Sequence, residues 1–221
     1  MSWHTVAQPF CFVKVEGGTD YVRDTFACAA LSQWRWGFMD KLTLDTNVLR
    51  DWAWVEGISP DKRYDNDKTK HEQLRRHFAA LKALRDTGKC EFGITTQFYT
   101  DYDETKGDIP AYIQNMIGQY VDIAVPAIFG FPVVFPMVFP NLSELEAIFT
   151  TLFPDSQPDH NKYDNNRKDA LQLYAHKIAE RTFFLTSDKA IIRKQLELAQ
   201  LWKIEIRTVE AYLKQISGGL V

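Results

Sequence analysis

The spacing of apolar side chains changes several times along the chain, and each change marks an element. FCFVKV at residues 10–15 runs into Glu16, Gly17 and Gly18, the pattern of a strand entering a hairpin. ACAALSQWRWGF, which follows at 27–38, suits a short helix or an aromatic strand, and residues 1–38 are read together as a β-containing N-terminal extension. The pattern then becomes regular. LTLD (42–45) predicts a short buried strand, and TNVLRDWAWVEG places Val48, Trp52 and Val55 at helical spacing before Gly57. After the polar loop SPDKRYDNDKTK, Thr69 and Glu72 form a capping-box signature for a helix that stops at Gly88. Leu74, Phe78, Leu81 and Leu84 give it one apolar face.

CEFGITT (90–96) predicts the next strand, and QFYTDYDE the first turns of a helix. Residues 105–142 interrupt this rhythm and are read as an insertion or elaborated crossover. NLSELEAIFTTLF returns to helical spacing, and PDSQPDHNKYDNN is a polar loop whose Asn165 or Asn166 caps a helix beginning near Arg167. Leu171, Tyr174 and Ile178 form its inward stripe, and Asp169 falls in its first turn, where the helix dipole favours negative charge. TFFLTSD is a strand, KAIIRKQLELAQLW a helix with Ile191, Leu196 and Leu198 among its apolar residues, KIEIRT a strand and VEAYLKQI a helix. Alternating strands and helices of this length predict a three-layer α/β/α domain over residues 39–221, with a parallel central sheet covered on both faces.

Within the insertion, IAVPAIFGFPVVFPMVFP (123–140) carries no charge and is as long as a membrane span. Pro126, Pro132, Pro136 and Pro140 each remove a helix donor, which predicts a buried or partner-facing extended segment and no membrane crossing. Such a segment, if exposed, is an interface for self-association or a dedicated protein partner.

Composition changes this picture little. The chain has 221 residues, 45% hydrophobic and 25% charged, with a formal net charge of -3, so a nucleic-acid partner has to be met by a local basic patch. Cys11, Cys28 and Cys90 are odd in number and form no CxxC pair. That argues against a disulfide framework or a zinc site and fits a reducing cytoplasm. The first residues, MSWHTVAQPF, do not read as a secretory signal.

Candidate chemistry comes from carboxylates. Ligands of an open parallel sheet collect at the carboxyl ends of its strands. Asp45 and Asp188 directly follow predicted strands, Asp101 lies early in the helix after a strand, and Asp169 opens a helix that runs into one. Each has a structural reading as a helix cap or an N-terminal helix charge. Gathered in one crevice, however, four carboxylates repel one another unless a cation offsets them. Oxygen ligands without Cys suit Mg2+ or Mn2+, and the five histidines show no ligand spacing.

LTLDTNVL (42–49), GITTQFYTD (93–101), NRKDALQLYAHK (166–177) and FLTSDKAI (184–191) together resemble the PIN-domain family of metal-dependent nucleases. The resemblance runs from about residue 40 to the end of the chain. It implies a PIN-like sheet of parallel strands between helices and a pocket in which Asp45, Asp169 and Asp188 bind Mg2+ or Mn2+. Asp101 is the fourth acid it implies, with Asp103 and Glu104 as alternatives for that place. Asn47, Thr186 and Ser187 would support the site, and Arg167, Lys168 and Lys189 would hold substrate phosphates. The implied activity is endoribonucleolytic hydrolysis of RNA to 5′-phosphate and 3′-hydroxyl ends. Small members of the family act as toxins paired with antitoxins, and the extension and the proline-rich insertion set this chain apart from them. The competing reading is a non-catalytic PIN-like module that binds a protein partner through residues 123–140.

Overall fold

Leu42, Leu44, Phe92 and Ile94 are all buried and all even-numbered, and the residues between them are of a different kind. The reason is a sheet with two unlike faces. A computed structural model describes residues 39–58, 67–99, 113, 115–125 and 141–218. The chain divides into two units, Met1–Gly37 and Phe38–Val221, and the described residues all lie in the second. The expectations for residues 1–38 and 126–140 therefore lie outside the described residues.

Five strands, β1 (Asp40–Leu44), β2 (Cys90–Thr95), β3 (Val121–Ile123), β4 (Phe183–Leu185) and β5 (Ile206–Arg207), pair in parallel in the order β3-β2-β1-β4-β5. The helices are α1 (Thr46–Val55), α2 (Lys68–Asp86), α3 (Leu142–Leu152), α4 (Tyr163–Ile178), α5 (Lys189–Arg193), α6 (Gln195–Trp202) and α7 (Val209–Ile216). They flank the sheet on both faces, as expected of an α/β/α domain.

Register makes Leu42 the neighbour of Phe92 and Phe183, and Leu44 the neighbour of Ile94 and Leu185. These side chains share one face and pack against Trp52 of α1, Phe78 and Leu81 of α2, and Tyr212 of α7. Trp52 stacks on Phe78 with ring centroids 4.8 Å apart and planes 10° from parallel. Burying side chains of this size contributes about 1.5–3 kcal/mol each, so this face anchors the domain.

The opposite face is mixed. Phe184 and Ile206 join Leu171 and Leu173 of α4, Ile148 and Phe149 of α3, and Leu198 of α6 in a second apolar cluster. Towards β1 and β2, however, the positions under α4 are Thr43, Gly93 and Thr95. Thr43 Oγ1 shares a buried 2.8 Å hydrogen bond with Nδ1 of His176, and Thr95 Oγ1 donates to Oε1 of Gln172 at 3.2 Å. Burial pushes His176 down to about 3, so the imidazole is neutral here. A histidine without ligand spacing is thus part of the helix-to-sheet packing. Arg181, just after α4, donates to the Leu42 and Glu91 carbonyls at 3.0 Å and pairs with the Glu91 carboxylate at 2.8 Å.

Several element limits differ from the sequence reading. Asp67, and not Thr69, caps α2 by accepting from Lys70 N–H, while Glu72 bonds Arg76 instead. The stretch read as one helix over 189–202 is two, α5 and α6, meeting at Lys194, and Leu196 is exposed. β3 lies inside the segment read as an insertion, so at least residues 121–123 belong to the sheet. Among the described residues no helix is long and apolar enough to cross a membrane.

Gly93 has a specific purpose. A Cβ built there falls 2.7 Å from both Arg181 Cζ and Ile123 Cδ1, and the guanidinium cannot retreat without abandoning two backbone carbonyls. Gly93→Ala is therefore expected to cost about 1–3 kcal/mol through overpacking. A urea titration checks this, and an unchanged midpoint would show that the Arg181 packing has slack.

Candidate active site

The strand order reverses direction between β1 and β4, because β1 leads towards β2 on one side and β4 leads to β5 on the other. Loops diverge at such a point and leave a crevice beyond the carboxyl ends of the two strands. Asp45 follows β1 and Thr186 follows β4, and the Asp45 N–H donates to the Leu185 carbonyl at 3.0 Å. Thr186 Oγ1 then donates to Asp45 Oδ2 at 2.6 Å and accepts from the Asp188 N–H at 2.9 Å. Asn47 Nδ2 donates to the same Asp45 oxygen at 3.4 Å.

The two aspartates that follow strands do different things. Asp188 caps α5 by accepting from the Ala190 and Ile191 N–H groups, so the capping reading describes its side chain well. Asp45 stands at the N-cap of α1 and makes no capping hydrogen bond from its side chain. It is only 2% exposed. Burial raises its carboxyl to about 6, the Thr186 hydrogen bond opposes that rise, and the charge of Asp188 adds to it. An acid so placed is a cost to the fold, because its charged form is disfavoured where it stands.

The second wall is α4. Asn165, Lys168, Asp169 and Gln172, at the spacing of one helical face, line a polar pocket of about 230 Å³ opposite Asp45, Thr46, Asn47 and Arg50. Asp45 and Asp169 therefore share one pocket. The helix starts at Tyr163, with Lys162 before it and no side-chain cap, so Asp169 lies in the second turn. The helix dipole acts within the first turn, and the dipole rationale expected for Asp169 does not apply. Asn166 bonds Ser156 and caps nothing. The inward stripe also differs: Ile178 is exposed, whereas residues 170–176 are buried on successive sides because α3 covers the flank that the sheet does not.

The other anticipated residues divide. Ser187 donates to Asp51 Oδ2 at 2.9 Å, away from Asp45. Arg167 bonds Tyr163 at 2.9 Å, pairs with Glu146 at 3.0 Å and lies over the Phe149 ring, so it ties α4 to α3. Lys168 lines the pocket, and Lys189 is exposed at the start of α5. Asp101, Asp103 and Glu104 lie outside the described residues. Among the described residues, no three His, Cys, Asp or Glu side chains gather at metal-binding range.

Sequence reasoning passed over Arg50, Thr46 and Gln172. Gln172 had a signal, since it stands three residues after Asp169 on the same helical face. Arg50 had one too, four residues after Thr46. Thr46 Oγ1 is buried without a hydrogen-bond partner, and no sequence pattern marks such an atom. A larger cavity, about 800 Å³, lies near Arg85, Glu91, Tyr120 and Asp122 and holds none of the anticipated acids. The chain matches no protein-family model, and no curated protein matches it.

The cost of Asp45 has a measurable sign. Its folded value, about 6, exceeds the ordinary 3.8, so the folded state keeps a proton that the unfolded state releases. Stability tied to this group is complete below pH 4 or so and is lost as pH rises towards 6. In chelator, Asp45→Asn is expected to stabilise the protein by on the order of 1–3 kcal/mol at pH 7 and to match wild type near pH 4. Denaturant titrations at the two pH values check it. A variant less stable than wild type at pH 7 would mean that the carboxylate is a structural asset.

Proposed function

We propose that the pocket between α1 and α4 is the active site of a Mg2+- or Mn2+-dependent endoribonuclease of the PIN type. The observation that carries this reading is Asp45: a carboxylate buried at the switch point, left out of helix capping, repelled by Asp188 and facing the pocket that Asp169 shares.

The donor set suits such an ion. The acids offer hard oxygen, and Mg2+ is commonly held by one or two carboxylates with several waters completing its shell. The orphaned Thr46 hydroxyl beside Asp45 is a further oxygen suited to one of those waters. Asp45 and Asp169 would hold the ion, Asp188, which caps α5, would contribute its charge at Asp45, and Asp101 is the fourth acid of the reading. When bound, it supplies an acidified water and offsets the charge that grows on the phosphate.

The remaining work falls to the protein's own groups. Thr186 and Asn47 both bond Asp45 Oδ2, which fixes the plane of the carboxylate and leaves Oδ1 unused by either. Lys168 and Arg50, on opposite walls, attract the phosphates on either side of the scissile bond without reading sequence. Water adds to phosphorus, the bond to the 3′ oxygen breaks, and that oxygen gains a proton. The products are a 5′-phosphate and a 3′-hydroxyl. Arg167 has no part in this reading, because its guanidinium is committed to α3.

Purified protein incubated with labelled RNA pools and Mn2+ is expected to cleave, and EDTA to stop cleavage. Asp45→Asn should lower the rate by roughly 100-fold or more, and Thr186→Val, which frees the carboxylate to turn, by about 10–100-fold. RNA left intact by the wild type, or cut equally by Asp45→Asn, would reject the nuclease reading. Intact RNA together with a protein partner captured on residues 123–140 would favour the non-catalytic module.

A further inference from the structure

Gln172 is 2% exposed, yet it lines the pocket that holds Asp45 and Asp169. Its Oε1 is occupied, because the Thr95 hydroxyl at the end of β2 donates to it at 3.2 Å. The Nε2 amide has no hydrogen-bond partner among the described residues, and it is not among the buried side-chain atoms left without one. It therefore keeps a solvent-accessible opening, and the pocket is what Gln172 borders. A carboxamide with its acceptor end tied down presents only its two N–H donors. Water meets these donors when the pocket is empty, and a ligand that displaces it must bring an oxygen acceptor or leave them unpaired.

The ligand's chemistry follows from what surrounds the amide. Cationic Lys168 and Arg50 stand on the two walls, and the amides of Asn47 and Asn165 also line the pocket. Beside the carboxylates of Asp45 and Asp169, these cations and amides are the groups of the pocket that an anionic oxygen acceptor can meet, and roughly half to two-thirds of protein–DNA hydrogen bonds go to phosphate and sugar oxygens, with Asn and Gln side chains among the donors. We infer that Gln172, oriented by Thr95, donates to a backbone phosphate oxygen of a single-stranded RNA in this pocket. Gln172 is then a substrate-binding residue and Thr95 a positioning residue. The inference rests on the nuclease reading for the identity of the substrate, and on geometry alone for the donor.

The test uses a fluorescein-labelled single-stranded RNA 10-mer of mixed sequence. Affinity is read by anisotropy in EDTA, cleavage kinetics in Mn2+, and Mn2+ affinity by electron paramagnetic resonance. Gln172→Met keeps the bulk and removes the donors. It is expected to weaken RNA binding and raise KM by about 10-fold or more, with kcat changed less than about 3-fold and Mn2+ affinity unchanged. Thr95→Val leaves the donor but frees it to turn, so a smaller loss of the same kind is expected. The double variant should be no worse than Gln172→Met, since Thr95 acts through Gln172.

Wild-type binding and KM in Gln172→Met, additive losses in the double variant, or a parallel fall in Mn2+ affinity would overturn the assignment while the nuclease reading stands. If the wild type binds the 10-mer without cutting it and Gln172→Met releases it, the nuclease reading falls and the binding residue survives. Neither binding nor cleavage by the wild type overturns both.

Discussion

The 2.6 Å hydrogen bond from Thr186 to Asp45 joins the ends of two strands that lie 141 residues apart in the chain and side by side in the sheet. It stands where the connections of the sheet part, and the arrangement around it depends on it. Thr186 receives the Asp188 N–H and gives its own proton to Asp45, so one hydroxyl sets the loop after β4 and the carboxylate after β1 together. Hydrogen bonds to an ionised acceptor are stronger than neutral ones and favour the charged form. Burial pulls the other way and wins in Asp45, whose carboxyl remains raised.

This balance leaves the site electrostatically costly within close-packed surroundings. The apolar face, with Trp52 on Phe78 and the leucines and phenylalanines of β1, β2 and β4, supplies the stability that a disfavoured carboxylate consumes. Polar groups on the other face place α4, and α4 carries Asp169, Lys168 and Gln172 into the pocket. The division of labour is by sheet face: hydrocarbon on one side holds the domain together, and hydrogen bonds on the other aim the helix that lines the site.

The strand-helix alternation was legible because each strand is short, bounded by turn residues and followed by an apolar period of a different length. The sheet class followed from it. Strand order did not, since nothing local in LTLD or FFLT says which strand lies beside which. β3 escaped notice for a physical reason: VDI is three residues long, and a run that short cannot show a period. Of the acids, Asp45 and Asp188 were visible by position, yet the sequence could not separate the one that caps from the one that does not. That difference is made by Thr186, which reaches Asp45 only after folding. Arg167 was misleading in a similar way, because its partners Glu146 and Phe149 belong to another helix.

The hydrogen bonds from Thr43 and Thr95 to His176 and Gln172 bear on how α4 is held. Two oily surfaces in contact tolerate a small slide, because attraction between them has no direction. Groups that must meet donor to acceptor do not, and each mismatch leaves a polar atom stranded. The thread of α4 is thereby locked to one notch against the strands, and a nut that cannot slip by a turn keeps its acid and its amide facing the same opening.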